Sequence, residues 1–135
     1  MSASVSSAPA SDSIEISVLV PVMNEAGNIA PLIDEICAVF NGRRFEIIYI
    51  DDASTDDTAA ELSALLDTVP QLRVLRHATR SGQSAAIWSG LWQARGRLIG
   101  VLDGDGQNVP ADFPALEAAL LKHGDSLAMV AGIRQ

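Results

Sequence analysis

Three short stretches of this chain gather acids of the kind that hold cations or accept hydrogen bonds from sugars. Asp103-Gly104-Asp105 comes directly after the apolar run LIGVL. Two carboxylates separated by one glycine can turn toward a single point, because glycine lets the backbone bend tightly and a ligand come close. Carboxylate oxygens suit the hard cations Mg2+ and Mn2+, which keep positions open for substrate phosphates. A plain Asp-Gly turn is the bland alternative, but the position after a buried strand favours a metal at Asp103 and Asp105. Asp51-Asp52 follows FEIIYI. Asp52 there either accepts hydrogen bonds from a ribose or base, the favoured reading, or shares with Asp51, Ser54 and Thr55 the capping of the next helix. Glu25 follows ISVLVPVMN; contact with a base and a charge near a helix N-terminus are equally good readings. Arg80-Ser81-Gly82-Gln83-Ser84 offers backbone N–H groups and a cation to an anion, unless Ser81 only caps a helix.

Other conspicuous side chains have plainer expectations. His77 and His123 show no metal-ligand spacing and read as surface or strand-end residues. Trp88 and Trp92 are four apart and share a helix face, where core packing is a better expectation than a sugar platform. Cys37 is the single cysteine. It excludes an intrachain disulfide and, on an apolar helix face, reads as a small core residue.

The elements that must position these groups follow from hydrophobic periodicity. Short β-branched runs predict strands at 16–22, 45–50, 72–75, 98–102 and 127–131. Helical spacing predicts helices at 24–40, at 56–66 with Ser54 or Thr55 as N-cap, at 81–94 and at 110–123. Strand and helix alternate in the βαβ rhythm of an α/β fold, a Rossmann-like, mostly parallel sheet with helices on both faces. In such sheets ligands bind outside the carboxyl ends of the strands. The three acidic stretches therefore share one rim, where their mutual repulsion calls for a cation.

Composition narrows the classes further. The 135 residues suit one domain, read as 14–135 after a small, polar, disordered segment at 1–13. Acids outnumber bases 17 to 9, for a net charge of −8, which argues against a non-specific nucleic-acid binder. No signal peptide and no apolar run of about 20 residues is present, so the expected location is the cytoplasm or the cytoplasmic face of a membrane.

Taken in order, PVMNE, IDDASTDDT, GQSAAIWSGLWQARG, LDGDGQNVP and AGIR resemble the family 2 glycosyltransferases of the GT-A fold, and within them the dolichol-phosphate mannose synthase and polyprenyl-phosphate glycosyltransferase branch. The resemblance implies a nucleotide pocket lined by Pro21, Met23, Glu25 and Asp52, with Ile50 beside the base. It implies that Asp103 and Gly104 lie against the ribose-diphosphate of a UDP- or GDP-sugar, that Asp105 is the principal ligand of Mg2+ or Mn2+, and that Gln107 sits near the metal or phosphates. Arg134 matches an arginine that touches the donor diphosphate or the acceptor phosphate, which makes Asp105 and Arg134 the expected catalytic residues. The implied reaction is sugar transfer with inversion to a polyprenyl phosphate at a membrane surface, by a protein free to form homo-oligomers. Two departures stand out: Met23 replaces a frequent Tyr, and Gly104-Gly106 replace a frequent Ala-Leu. The family continues with acceptor-binding segments, so the acceptor part is expected to be missing from 14–135, and a non-catalytic nucleotide-sugar-binding module is the alternative. A dinucleotide-dependent oxidoreductase would need GxGxxG where this chain has Met23-Asn24-Glu25-Ala26-Gly27. A phosphoacceptor receiver would need an Asp where it has Arg76-His77.

Overall fold

The computed structural model describes residues 13–102, Gly104 and the backbone of 128–131. β1 (Ile16–Val22) and β2 (Phe45–Asp51) are buried along their whole length and mostly apolar, with Ser17, Glu46 and Asp51 as their buried polar residues, as suits strands covered on both sides. They alternate with α1 (Ile29–Val39), α2 (Thr58–Leu66), β3 (Leu72–Arg76), α3 (Gln83–Gln93), β4 (Leu98–Val101) and β5 (Ala128–Ala131). Among the described residues the strands form one five-stranded sheet, ordered β3-β2-β1-β4-β5, with every neighbouring pair parallel. The α/β class and the parallel sheet expected from the sequence are thus present. The 110–123 helix lies outside the described residues. Ser13, read as the end of a disordered segment, is tied down: its carbonyl accepts from Arg44 Nε at 2.7 Å.

Side-chain alternation sends Val18, Val20, Val22, Ile47 and Tyr49 into the larger core with α1 and α2, and Leu19, Ile48 and Ile50 toward α3. Cys37 packs against the larger core, and burial, helped by Asp34, pushes its thiol pKa up, which fits the inert role expected of it. α3 meets the sheet through Ala86 and Gly90, both buried. A Cβ at Gly90 would lie 2.9 Å from Ile50 Cδ1 and 3.2 Å from Leu19 Cδ1, so the helix backbone rests almost directly on the strands. This close seat corrects one expectation. Trp88 and Trp92 share a face and meet edge to face, with ring centroids 6.0 Å apart. They are nevertheless 62% and 73% exposed, because the side of α3 that fits the sheet is the one with the smallest residues.

All three described helices also begin later than the periodicity predicts, α3 at Gln83 rather than at 81. Residues 24–28 form a loop rather than the first turns of α1, with Asn24 at φ 59° and Gly27 at φ 90°. Residues 52–57 form a second loop, with Ala53 at φ 60°. The loops bond to each other. Asn24 N–H donates to Ser54 Oγ at 2.9 Å, Thr55 N–H donates to Asn24 Oδ1 at 2.8 Å, and Glu25 N–H donates to Thr58 Oγ1 at 2.9 Å. Ala26 N–H reaches Asp56 Oδ2 and Gly27 N–H reaches Glu61. Ser54 and Thr55 are therefore not the N-cap of α2. Asp57 holds that position, without a side-chain capping bond, and the nearby side chains serve the β1–α1 loop instead.

Candidate functional site

The strand order reverses between β1 and β4, and a crevice opens there. β1 pairs with β2 as far as Val22↔Asp51, but with β4 only as far as Leu19↔Val101. Val22 carbonyl accepts from Asp52 N–H on the β2 side, and Leu19 carbonyl accepts from Leu102 N–H on the β4 side. Strand alternation then turns Pro21 toward β4. Proline has no N–H to give, so it sits where the ladder has ended and the two strands part. The cleft at this point has a volume of about 270 Å3, in the place where open parallel sheets bind ligands.

Pro21, Met23, Glu25, Asp52 and Gly104, all expected from the sequence, line the cleft together. Arg80, Gly82 and Gln83 from the start of α3 line it as well, with Val22 and Ala86. The RSGQS stretch, read as an anion site or a cap, is thus part of the wall, whereas Val22 and Ala86 carry no polar signal by which sequence could have marked them. Ile50, expected beside a base, is fully buried against α3 and is not among the residues lining the cleft. Its place in the alternation of β2 turns it into the smaller core. Asp103, Asp105, Gln107 and Arg134 lie outside the described residues. Among the described residues no group of three or more His, Cys, Asp and Glu is arranged to hold a metal ion.

Gly104 is buried. A Cβ there would collide with Val22 Cγ1 and come within 3.4 Å of the Pro21 carbonyl oxygen. Its backbone therefore passes hard against the end of β1, which only glycine permits.

The paired aspartates after β2 separate into two roles. Asp51 is 1% exposed and faces inward. Its Oδ1 accepts from Ser54 N–H at 2.9 Å and its Oδ2 from Arg76 Nη1 at 2.6 Å. That is a structural anchor for the 52–57 loop. Asp52 borders the cleft. Its Oδ1 meets His77 Nδ1 at 2.9 Å and accepts from Ser81 N–H at 2.8 Å, while Oδ2 accepts from Gly82 N–H at 2.8 Å. Burial alone would raise its pKa, but the bonds from His77, Ser81 and Gly82 outweigh it and hold the carboxyl below the usual aspartate range. Gly82 carries φ 99°, a left-handed conformation that turns the chain into α3 and aims its N–H at Asp52. Glu25 Oε1 accepts from Asn28 Nδ2 at 3.0 Å, so its carboxylate is held at the mouth of the β1–α1 loop. His77 is the residue that sequence reasoning undervalued. It is a strand-end residue as expected, but it bridges Asp52 to Ser89, with Nε2 and Ser89 Oγ 2.8 Å apart.

Comparison with known proteins points one way. The sequence profile described as glycosyl transferase family 2 matches residues 17–134. A dodecaprenyl-phosphate galacturonate synthase of Rhizobium johnstonii is 38% identical over 111 residues, covering 80% of this chain and 33% of the relative. A dolichol-phosphate mannosyltransferase of Saccharomyces cerevisiae is 32% identical over 118 residues, covering 85% of this chain and 44% of the relative. This chain thus spans between a third and a half of the length of these curated relatives. Among solved structures, a mannosyltransferase of Pyrobaculum calidifontis in complex with GDP-Man and Mn2+ matches with TM-score 0.66 and 28% identity, over 75% of this chain and 30% of that one. S. aureus TarS residues 1–349 in complex with UDP-GlcNAc matches with TM-score 0.67 and 26% identity, over 82% of this chain and 32% of that one.

Proposed function

The chain belongs to glycosyl transferase family 2, and from that premise we propose that it forms the donor-binding part of an enzyme transferring a sugar, with inversion, from a UDP- or GDP-sugar to a polyprenyl phosphate. The observation that carries this reading is the cleft where β1 and β4 part, walled by Pro21, Met23, Glu25, Asp52 and Gly104. Asp52 and Glu25 supply acceptors for the hydroxyls and N–H groups of a nucleoside. Pro21 and Met23 supply apolar wall, and Arg80 supplies positive charge toward the phosphates. The activities of these relatives support a lipid-phosphate acceptor, and such an acceptor fits a protein working at the cytoplasmic face of a membrane. No helix of the described residues is long and apolar enough to cross that membrane.

Gly104 lines the cleft, so a cation held by the acids on either side of it in sequence would belong to the same wall. Asp103 and Asp105 are the residues that would hold Mg2+ or Mn2+, and the solved neighbour with GDP-Man contains Mn2+. A cation held there would supply Lewis-acid stabilisation to a departing nucleoside diphosphate. Gln107 and Arg134 have donor groups suited to the same phosphates, and Arg134 would bring permanent charge to them. A phosphate acceptor is already anionic at neutral pH, so the proposed reaction needs little general-base help.

Isothermal titration of UDP- and GDP-sugars, with and without Mn2+, tests the proposal. Metal-dependent binding is expected in the wild-type chain and is abolished in Asp105→Ala. Undiminished Mn2+-dependent binding in that variant refutes the metal assignment.

A further inference from the structure

Asp52 meets the cleft with a carboxylate that three donors orient. Each carboxylate oxygen offers two acceptor sites. Oδ1 uses both, one for His77 Nδ1 and one for Ser81 N–H, whereas Oδ2 uses one, for Gly82 N–H. One lone pair on Oδ2 is left. His77 itself is fixed at three points: its backbone N–H donates to the Asp51 carbonyl at 2.9 Å, Nδ1 meets Asp52, and Nε2 meets Ser89 on α3. The ends of β2 and β3 and the middle of α3 therefore converge on one imidazole.

We propose that His77 is a positioning residue for nucleotide binding: its Nδ1–H fixes the plane of the Asp52 carboxylate so that the free lone pair on Oδ2 accepts a hydrogen bond from an N–H or O–H of the donor's nucleoside. This deepens the donor-binding reading above and rests on it. An ionised Asp52 only accepts, so Nδ1 carries a proton. In the neutral imidazole Nε2 then accepts the Ser89 hydroxyl, and the second-partner bond sets the tautomer. The same chain of bonds activates serine nucleophiles in hydrolases, but neither Ser89 nor His77 lines the cleft. The chain of bonds acts on Asp52 rather than on a substrate.

Substitutions can separate positioning from mere packing. Asn carries a side-chain N–H as many bonds from the backbone as His Nδ1, so His77→Asn keeps the donor to Asp52 and loses only Ser89. Gln reaches the position of Nε2 and misses Asp52, and Phe fills the space with neither donor. Titrating UDP and GDP with Mn2+ into the 135-residue chain should give affinity within about 3-fold of wild type for His77→Asn. A loss of about 10- to 100-fold is expected for His77→Gln and His77→Phe, the size of one hydrogen bond to a charged group. Imidazole 15N shifts of the unliganded wild type should report a proton on Nδ1. Equal affinity in all three variants, equal loss in all three, or a proton on Nε2 alone overturns the positioning role. A wild type that binds neither nucleotide overturns the donor-binding reading and the proposal with it, an outcome distinct from the preceding three.

Discussion

The two ends of the sheet each bury a carboxylate, and they use it differently. At the rear, where the strands begin, Glu46 is 1% exposed. Its Oε1 accepts from Arg73 Nη1 and from Arg95 Nε and Nη2, and its Oε2 from Ser17 Oγ and Arg95 N–H, at 2.6–3.1 Å. Every acceptor site is taken, and two partners are permanent cations. At the front, Asp52 is held by two neutral amides and an imidazole, and keeps a lone pair beside an open cleft. The rear carboxylate closes α3 and the start of β4 onto the sheet; the front one holds α3 and remains available. Burial and a lowered pKa, common to both, therefore do not distinguish a stabilising acid from a binding one. Spare acceptor capacity facing space does.

The largest test of this contrast is Glu46→Ala. It strands Arg73, Arg95 and Ser17 around a vacated site, and should lower the free energy of unfolding in urea by roughly 3 kcal/mol. Nucleotide affinity of the folded fraction should stay within about 2-fold of wild type, and a loss of affinity without a loss of stability would break the contrast. Asp52→Asn should do the reverse: a stability loss of about 1 kcal/mol, because an amide N–H now opposes Gly82 N–H, with nucleotide affinity falling about 10-fold or more in calorimetry.

Asn24 joins the two front loops in a left-handed conformation that asparagine tolerates better than most residues. Asn24→Ala should lose about 1–2 kcal/mol of stability. Asn24→Gly, which keeps the backbone freedom and drops only the amide, should lose about half of that, and equal losses would place the whole effect in the hydrogen bonds.

The smallest effect is in pH. Glu46 and Asp52 have folded pKa values below their ordinary 4.5 and 3.8. A depressed carboxylate stabilises fully above its ordinary value and loses that contribution as pH falls through its folded value. The urea midpoint should therefore hold steady in this respect from pH 7 down to about 5 and fall below about 4, with a shallower fall in Glu46→Ala.

Most strand positions were legible from the sequence because burial on both faces leaves continuous β-branched runs, and β1 runs over 16–22 as read. The helix starts were less legible. The segment at 24–28 has helical spacing, but its amides are satisfied by Ser54, Asp56, Thr58 and Glu61, some thirty residues away, and local periodicity carries no trace of such partners. The tryptophans misled for a related reason. Size suggested a core face, while Ala86 and Gly90, also four apart, were the contact stripe. At the site, strand-end logic brought Pro21, Met23, Glu25, Asp52 and Gly104 to one cleft. It could have marked His77 too, since β3 is the parallel neighbour of β2 and ends beside Asp52.

The sheet order also bears on how the chain assembles. β1 meets β2 across a short crossover, but it meets β4 only when Leu98 comes to lie beside Ile16. Until that distant segment arrives, an apolar strand has one side without partners, the kind of edge that recruits strands from other molecules. Pro21 interrupts that edge near its exit, so a foreign strand could not continue its ladder there. The residue that stands where β1 and β4 part in the finished fold thus also denies a foreign strand a backbone bond at the same point of the nascent one.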